Sequence, residues 1–224
     1  MRLQNTLPIL LQKRDPVGNN VTGVAWEDRT WPLVYNRHRL IELCGRSLKG
    51  FTRRVRDLDR ALFRVLFGLK WAPLTAVMRA FTVVGTAGAL WGFLAALAFL
   101  FTGLEPLRLL IPWAAVAASW TVAEGAKYLF DRARPFMWDT EIAPLTRTPS
   151  SSSFPSGHSA TAAAGALTLS VLYPLFAPAL VLAGIIVVLS RVYLGVHFPF
   201  DVLAGVIIGT ATAVVVLAGA SLVA

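Results

Sequence analysis

The chain has 224 residues, 56% of them hydrophobic and only 15% charged, with a mean hydropathy of +0.63. So apolar a composition excludes an ordinary soluble domain and reads as an integral membrane protein, with several segments able to cross a hydrocarbon core of about 30 Å. The formal net charge of +9 does not indicate a nucleic-acid partner. Residues 1–60 carry 12 Lys/Arg against 6 Asp/Glu and the remainder 9 against 6, so the basic excess belongs mainly to an N-terminal tail beside anionic headgroups. Cys44 is the only cysteine, which rules out an intrachain disulfide or a cysteine-built metal site.

Residues 1–56 are expected to form a basic, mobile tail. They carry turn signals at Gly18-Asn19-Asn20 and Trp31-Pro32 and basic clusters at Arg37-His38-Arg39 and Arg53-Arg54-Val55-Arg56, with little periodic pattern. The membrane domain is expected over 57–224. It opens with apolar residues at Leu58, Ala61, Leu62, Val65 and Leu66 and arginines on other faces, an amphipathic helical spacing. Lys70 and Pro73 interrupt this pattern before Leu74–Val84. The pair is expected to lie in the membrane plane as two interfacial helices, the alternative being one tilted span.

Five spans follow: Thr86–Thr102, Leu107–Phe130, Gly157–Tyr173, Ala177–Val192 and Phe200–Ala220. The expected fold is therefore an all-α, polytopic helical bundle with five transmembrane helices, alternatively six. The polar loop Asp131–Pro155 contains Ser150–Ser153, which reads most simply as a solvated, flexible run. Gly205 and Gly209 form a GxxxG spacing suited to close helix packing. Short turns at 103–106 and 174–178 fall on one side of the membrane, and every polar cluster falls on the other.

Those clusters carry the chemistry. The first runs from Lys127 to Arg134-Pro135, the second is Pro155-Ser156-Gly157-His158, and the third is Ser190-Arg191 with His197 and Asp201. Arg, His and Asp between long apolar runs are costly unless they are buried together and paired. Four residues separate His197 from Asp201, so on a helical turn the carboxylate would accept one imidazole N–H and leave the other nitrogen free as an oriented nucleophile or base. Lys127, Arg134 and Arg191 converge on the same membrane face and suit an oxyanion. Ser156 stands where a helix N-cap is expected, with the amides of Gly157 and His158 pointing at an anion along the positive helix end. In such a pocket His197 attacks phosphorus and His158 protonates the leaving oxygen.

The three motifs in this order, Lys-x6-Arg-Pro, Pro-Ser-Gly-His and Ser-Arg-x5-His-x3-Asp, resemble the type 2 phosphatidic acid phosphatase (PAP2) superfamily. The likeness is complete at every motif position and covers about residues 58–222. It implies a helical membrane bundle hydrolysing a lipid phosphate or pyrophosphate without metal or cofactor, through a phosphohistidine on His197. Phosphatidic acid, phosphatidylglycerol phosphate, polyprenyl (pyro)phosphates and lipid A remain open as substrates. A phosphotransferase or a non-catalytic anionic-lipid binder are the alternatives. The expected partners are the lipid substrate and the bilayer of the plasma or inner membrane, with the oligomeric state open. Many relatives carry a further helix before the interfacial pair, where this chain has its basic tail, and so five spans are expected rather than six.

Overall fold

The structure, a computed structural model, describes residues 9–14, 20–25, 52–102, 106–139 and 141–222. The chain divides into two units, Met1–Arg54 and Val55–Ala224. In the first, β1 (Ile9–Arg14) pairs antiparallel with β2 (Asn20–Ala25), in a register from Ile9 opposite Ala25 to Arg14 opposite Asn20. This hairpin departs from the expectation of an unpatterned tail at residues 9–14 and 20–25. Its strands carry Ile9, Val21 and Val24, which suit a pleated surface, and the turn signal at Gly18-Asn19 falls between them. The readings at Trp31-Pro32 and Arg37-His38-Arg39 lie outside the described residues.

Every described element of the second unit is helical, as expected. In order these are α1 (Thr52–Gly68), α2 (Ala72–Val84), α3 (Ala89–Thr102), α4 (Pro106–Ala126), α5 (Pro135–Trp138), α6 (Gly157–Leu172), α7 (Ala177–Tyr193) and α8 (Pro199–Ser221). The first two meet at 115° and so do not form one straight helix. Pro73 explains the break: it stands in the first turn of α2, where a residue without an N–H is tolerated, and it blocks continuation from α1.

Among the described residues, three segments are long and apolar enough to cross a membrane, Leu109–Leu129, Pro174–Tyr193 and Pro199–Ser221, with a fourth if α1 and α2 count as one broken span. Two of the five expected spans are shorter helices. Their 14 and 16 residues, in α3 and α6, reach roughly 21 and 24 Å at 1.5 Å per residue. A 3-10 turn at Thr86–Gly88, with Gly88 at φ +77°, separates the start of the expected first span from α3. Pro174 follows closely on the end of α6.

At the centre of the bundle α6 packs on α4, α7 and α8. An α6 enclosed by protein needs small residues more than lipid-facing ones, and its buried positions are mostly Ala, Gly, Ser and Thr. The approach of α8 is closest. A Cβ on Gly205 would collide with the Ser156 carbonyl oxygen, and one on Gly209 with that of Ala160. The GxxxG spacing thus lets two backbones touch, and it sets the second turn of α8 against the N-cap and first turn of α6.

Trp91, Val116, Leu169 and Val187 form the larger buried cluster, and Phe63, Ile142, Val192, Phe198 and Val202 join α1 to the junction of α7 and α8. The outer faces are as apolar as the core. Trp113, Trp120, Leu182, Ile185, Leu203, Ile207 and Val215 are all exposed. A bundle with such an apolar exterior is a membrane protein.

Candidate active site

The polar ends of α4, α6 and α7 meet the start of α8 around one cavity of about 240 Å³. Six of the predicted residues line it: Lys127, Arg134, Gly157, His158, Arg191 and His197. Each is delivered by a local break in regular structure. Lys127 begins the 3-10 turn that tightens the end of α4, and Arg134 immediately precedes α5. Arg191 lies in the last turn of α7, and His158 is the second residue of α6. Between Arg191 and His197 the chain reverses through Gly195 at φ +80°, and the Arg191 carbonyl accepts the N–H groups of both Val196 and His197 at 3.2 Å. A side chain at Gly195 would also meet the Phe67 ring, so glycine is required there twice over.

The lining is cationic. Arg134 is buried, donating to the carbonyls of Ser151 at 2.9 Å, Ser152 at 3.2 Å and Val196 at 2.8 Å. Desolvation lowers its affinity for a proton, and the nearby Asp201 and Glu124 carboxylates oppose that effect. Arg191 is also buried. It donates through Nη1 to Thr82 Oγ1, and its Nε has no partner among the described residues. Lys127 pairs with Glu124 at 2.6 Å across one turn. Glu124 Oε1 would stand 2.9 Å from a Cβ on Gly157, so any larger residue at the start of α6 would displace that carboxylate. A cavity with three cations and an unpartnered guanidinium donor matches an oxyanion.

Ser156 and Asp201 lie beneath the cavity and do not line it. The hydroxyl of Ser156 accepts the Ser159 N–H at 3.4 Å, and its backbone N–H donates to the Asp201 carbonyl at 3.0 Å. Its geometry is that of an N-cap joined to α8, which leaves the first amides of α6 unpaired along the helix dipole.

His197 is fully enclosed, and here the geometry differs from the sequence expectation. Its Nδ1 stands 2.8 Å from the Ser153 carbonyl oxygen, whereas Asp201 Oδ2 is 3.7 Å away. A carbonyl only accepts, so Nδ1 carries the proton and Nε2 is the basic nitrogen, approached by Arg134 Nη1 at 3.3 Å. The direct His197–Asp201 bond expected from i, i+4 spacing is absent because His197 precedes the helix. Phe198 is the N-cap and Asp201 the third residue of α8, so its carboxylate caps the Phe198 N–H at 2.8 Å. It also accepts the Ser153 hydroxyl at 2.5 Å and Arg132 Nη1 at 2.6 Å. Asp201 is therefore connected to His197 by way of Ser153 and Phe198. Burial, reinforced by the positive charges of Arg191 and Arg134, holds the His197 imidazole well below its ordinary pKa.

The expectation of a solvated Ser150–Ser153 run is corrected at Ser151–Ser153, whose backbone carbonyls hold Arg134 and His197. Sequence reading also missed Thr82, Arg132 and Asp59. Only Arg132 left a signal, as a second arginine two residues before Arg134. A larger apolar cavity of about 450 Å³ between α3, α6 and α7 contains none of the site residues.

The sequence profile of the PAP2 superfamily matches residues 108–221, just over half of the chain and all three motifs. The chain belongs to the PAP2 superfamily. Among PAP2 proteins, an undecaprenyl-diphosphatase of Sulfolobus acidocaldarius is 37% identical over 90 residues, covering 40% of this chain and 44% of the relative. The chain thus spans less than half of that curated relative. The crystal structure of Aquifex aeolicus LpxE superposes with a TM-score of 0.63 at 27% identity, covering 71% of this chain and 94% of that one. A PAP2-type phosphatidylglycerolphosphate phosphatase from Bacillus subtilis gives 0.63 at 26% identity, with 76% and 88% covered.

Proposed function

We propose that the chain is an integral-membrane phosphatase that hydrolyses a lipid phosphate or pyrophosphate through a phosphohistidine on His197. The observation that carries this reading is the cavity in which a neutral, oriented imidazole faces three cations, a second histidine and a helix N-terminus. His197 Nε2 attacks phosphorus and the bond from phosphorus to the lipid oxygen breaks, while His158 gives its proton to that oxygen. Water then attacks the phosphorus, the P–N bond breaks, and His158 takes the water's proton. Lys127, Arg134, Arg191 and the first amides of α6 bind the equatorial oxygens as charge redistributes. Those cations provide the charge neutralisation that divalent metals provide in other phosphatases, which supports a metal-independent reaction.

The names of its relatives favour a long-chain lipid phosphate, among them undecaprenyl diphosphate and phosphatidylglycerol phosphate. We place the protein in the plasma or inner membrane. In our reading α3, α4, α6, α7 and α8 are five membrane-embedded helices, α1 and α2 lie at the interface, and residues 1–56 form a separate N-terminal region before a phosphatase domain at 57–224. The test is release of inorganic phosphate by purified protein in detergent with EDTA present, over a panel of these lipids. Turnover of at least one that resists chelation supports the reading. Activity lost on chelation and restored by Mg²⁺ contradicts metal independence, and no turnover of any lipid contradicts the enzyme.

A further inference from the structure

Asp59 is a carboxylate with no solvent exposure, on α1, a helix whose other charges are exposed or half-buried. Burying a carboxylate is costly unless it is fully bonded. It does not line the phosphate cavity, and neither the expected motifs nor the proposed reaction uses it. Oδ1 accepts the backbone N–H of Phe200 at 2.9 Å, and Oδ2 accepts Arg132 Nη2. The other arm of that guanidinium, Nη1, donates to Asp201 Oδ1 at 2.6 Å, and its plane lies 4.7 Å from the centre of the Phe198 ring. On the far side, Asp201 Oδ2 holds the Ser153 hydroxyl and the Phe198 N–H, and the Ser153 carbonyl holds His197 Nδ1. The Ser153 N–H returns to the Arg132 carbonyl at 2.9 Å, which closes the circuit.

From these contacts we propose that Asp59 and Arg132 are positioning residues for His197, so that α1 is a working part of the catalytic site. Arg132 divides its planar fork between two carboxylates. Without the Asp59 charge, the fork is free to turn onto Asp201 with both arms. That draws Asp201 Oδ2 away from Ser153 and Phe198, and the carbonyl that fixes the His197 tautomer moves with them. Without Arg132, two buried carboxylates lose their shared counter-ion. In both cases the three cations and the α6 amides stay in place, so phosphate binding survives while attack by Nε2 loses its alignment. Misalignment of about 1 Å is enough to cost roughly 100-fold in rate.

The inference rests on His197 being the nucleophile, and the test keeps the two apart. Wild type, Asp59→Asn, Asp59→Glu, Arg132→Lys and His197→Ala are purified in detergent. Each is assayed for kcat and KM on an aryl phosphate, for affinity towards inorganic vanadate, and for melting temperature. Asp59→Asn retains the Oδ1 acceptor for Phe200 and replaces the Oδ2 that accepts from Arg132 with an uncharged NH2, which removes the ion pair at constant size. The expected result is a kcat about 10–100-fold down in Asp59→Asn and Arg132→Lys, with KM and vanadate affinity within about threefold of wild type, and partial recovery in Asp59→Glu. Unchanged kcat in Asp59→Asn alongside an inactive His197→Ala overturns the positioning role alone. Parallel loss of kcat, vanadate affinity and melting temperature also overturns it, by reducing Asp59 to a structural ion pair. An active His197→Ala removes the nucleophile assignment and the inference together.

Discussion

Replacing His197 by alanine removes the basic nitrogen that the Ser153 carbonyl and Arg134 frame, while leaving the cavity and its cations in place. Turnover is expected to fall by at least about 10³-fold with normal extraction and melting, the pattern of losing a group that acts with others as a unit. Retention of a tenth of the wild-type rate contradicts the assignment. His158→Ala is expected to cost about 10²–10⁴-fold on an alkyl lipid phosphate and much less on an aryl phosphate, whose leaving oxygen needs no proton. Equal losses on both contradict the general-acid role.

The depressed pKa of His197 makes a prediction in stability. Below its ordinary range the unfolded imidazole binds a proton that the buried ring refuses, so the folded state loses stability as pH falls from about 6.5 towards the lower folded value. The melting temperature of wild type is therefore expected to fall more steeply between pH 6.5 and 5 than that of His197→Gln. Identical slopes contradict the shift. At the residue scale, the motif charges were legible because a charge flanked by apolar runs is conspicuous. Ser153 was not, because its contribution is a backbone carbonyl, which leaves no mark on residue type, and its partner lies 44 positions away.

Elements were legible where one periodicity ran uninterrupted, as in α7 and α8. They were misjudged where a backbone feature intervened, as at the 3-10 turn that shortens α3. The GxxxG spacing was read correctly as packing, and its consequence for the site comes from the register. Gly205 lies against the carbonyl of Ser156, so α8 touches α6 at the N-cap itself. Gly205→Ala is expected to cost about 1–3 kcal/mol of stability by overpacking and to weaken phosphate binding by displacing Ser156. Gly219→Ala, with open space around it, serves as the control and is expected to change neither. Calorimetry in detergent with and without vanadate tests both, and equal behaviour of the two variants contradicts the contact. Neither composition nor spacing revealed that α1 bonds into the α7–α8 junction, since Asp59 meets Phe200 across 141 residues.

For the whole molecule, the helical class of the second unit and the convergence of the three motifs on one cavity were legible in the alternation of apolar runs and polar clusters. We propose a sidedness from charge. Through Asp59 and Arg132, α1 is joined to the site end of the bundle, and it brings Arg56, Arg60 and Arg64 there; Arg79 on α2 reaches the Leu145 carbonyl in the site loop. Under the positive-inside rule this excess favours a cytoplasmic site end. A Thr148→Cys probe on a Cys44→Ser background is expected to react with an impermeant maleimide only after permeabilisation. Strong labelling of intact cells places the site outside and contradicts this orientation.

The central claim is that phosphate passes through His197, and rapid-quench trapping with a ³²P-labelled lipid phosphate tests it most directly. Purified wild type is expected to accumulate a labelled, acid-labile and alkali-stable protein adduct within the first turnover, mapping to His197 and absent from His197→Ala. Phosphate release with no labelled protein at any quench time, or label on another residue, contradicts the account.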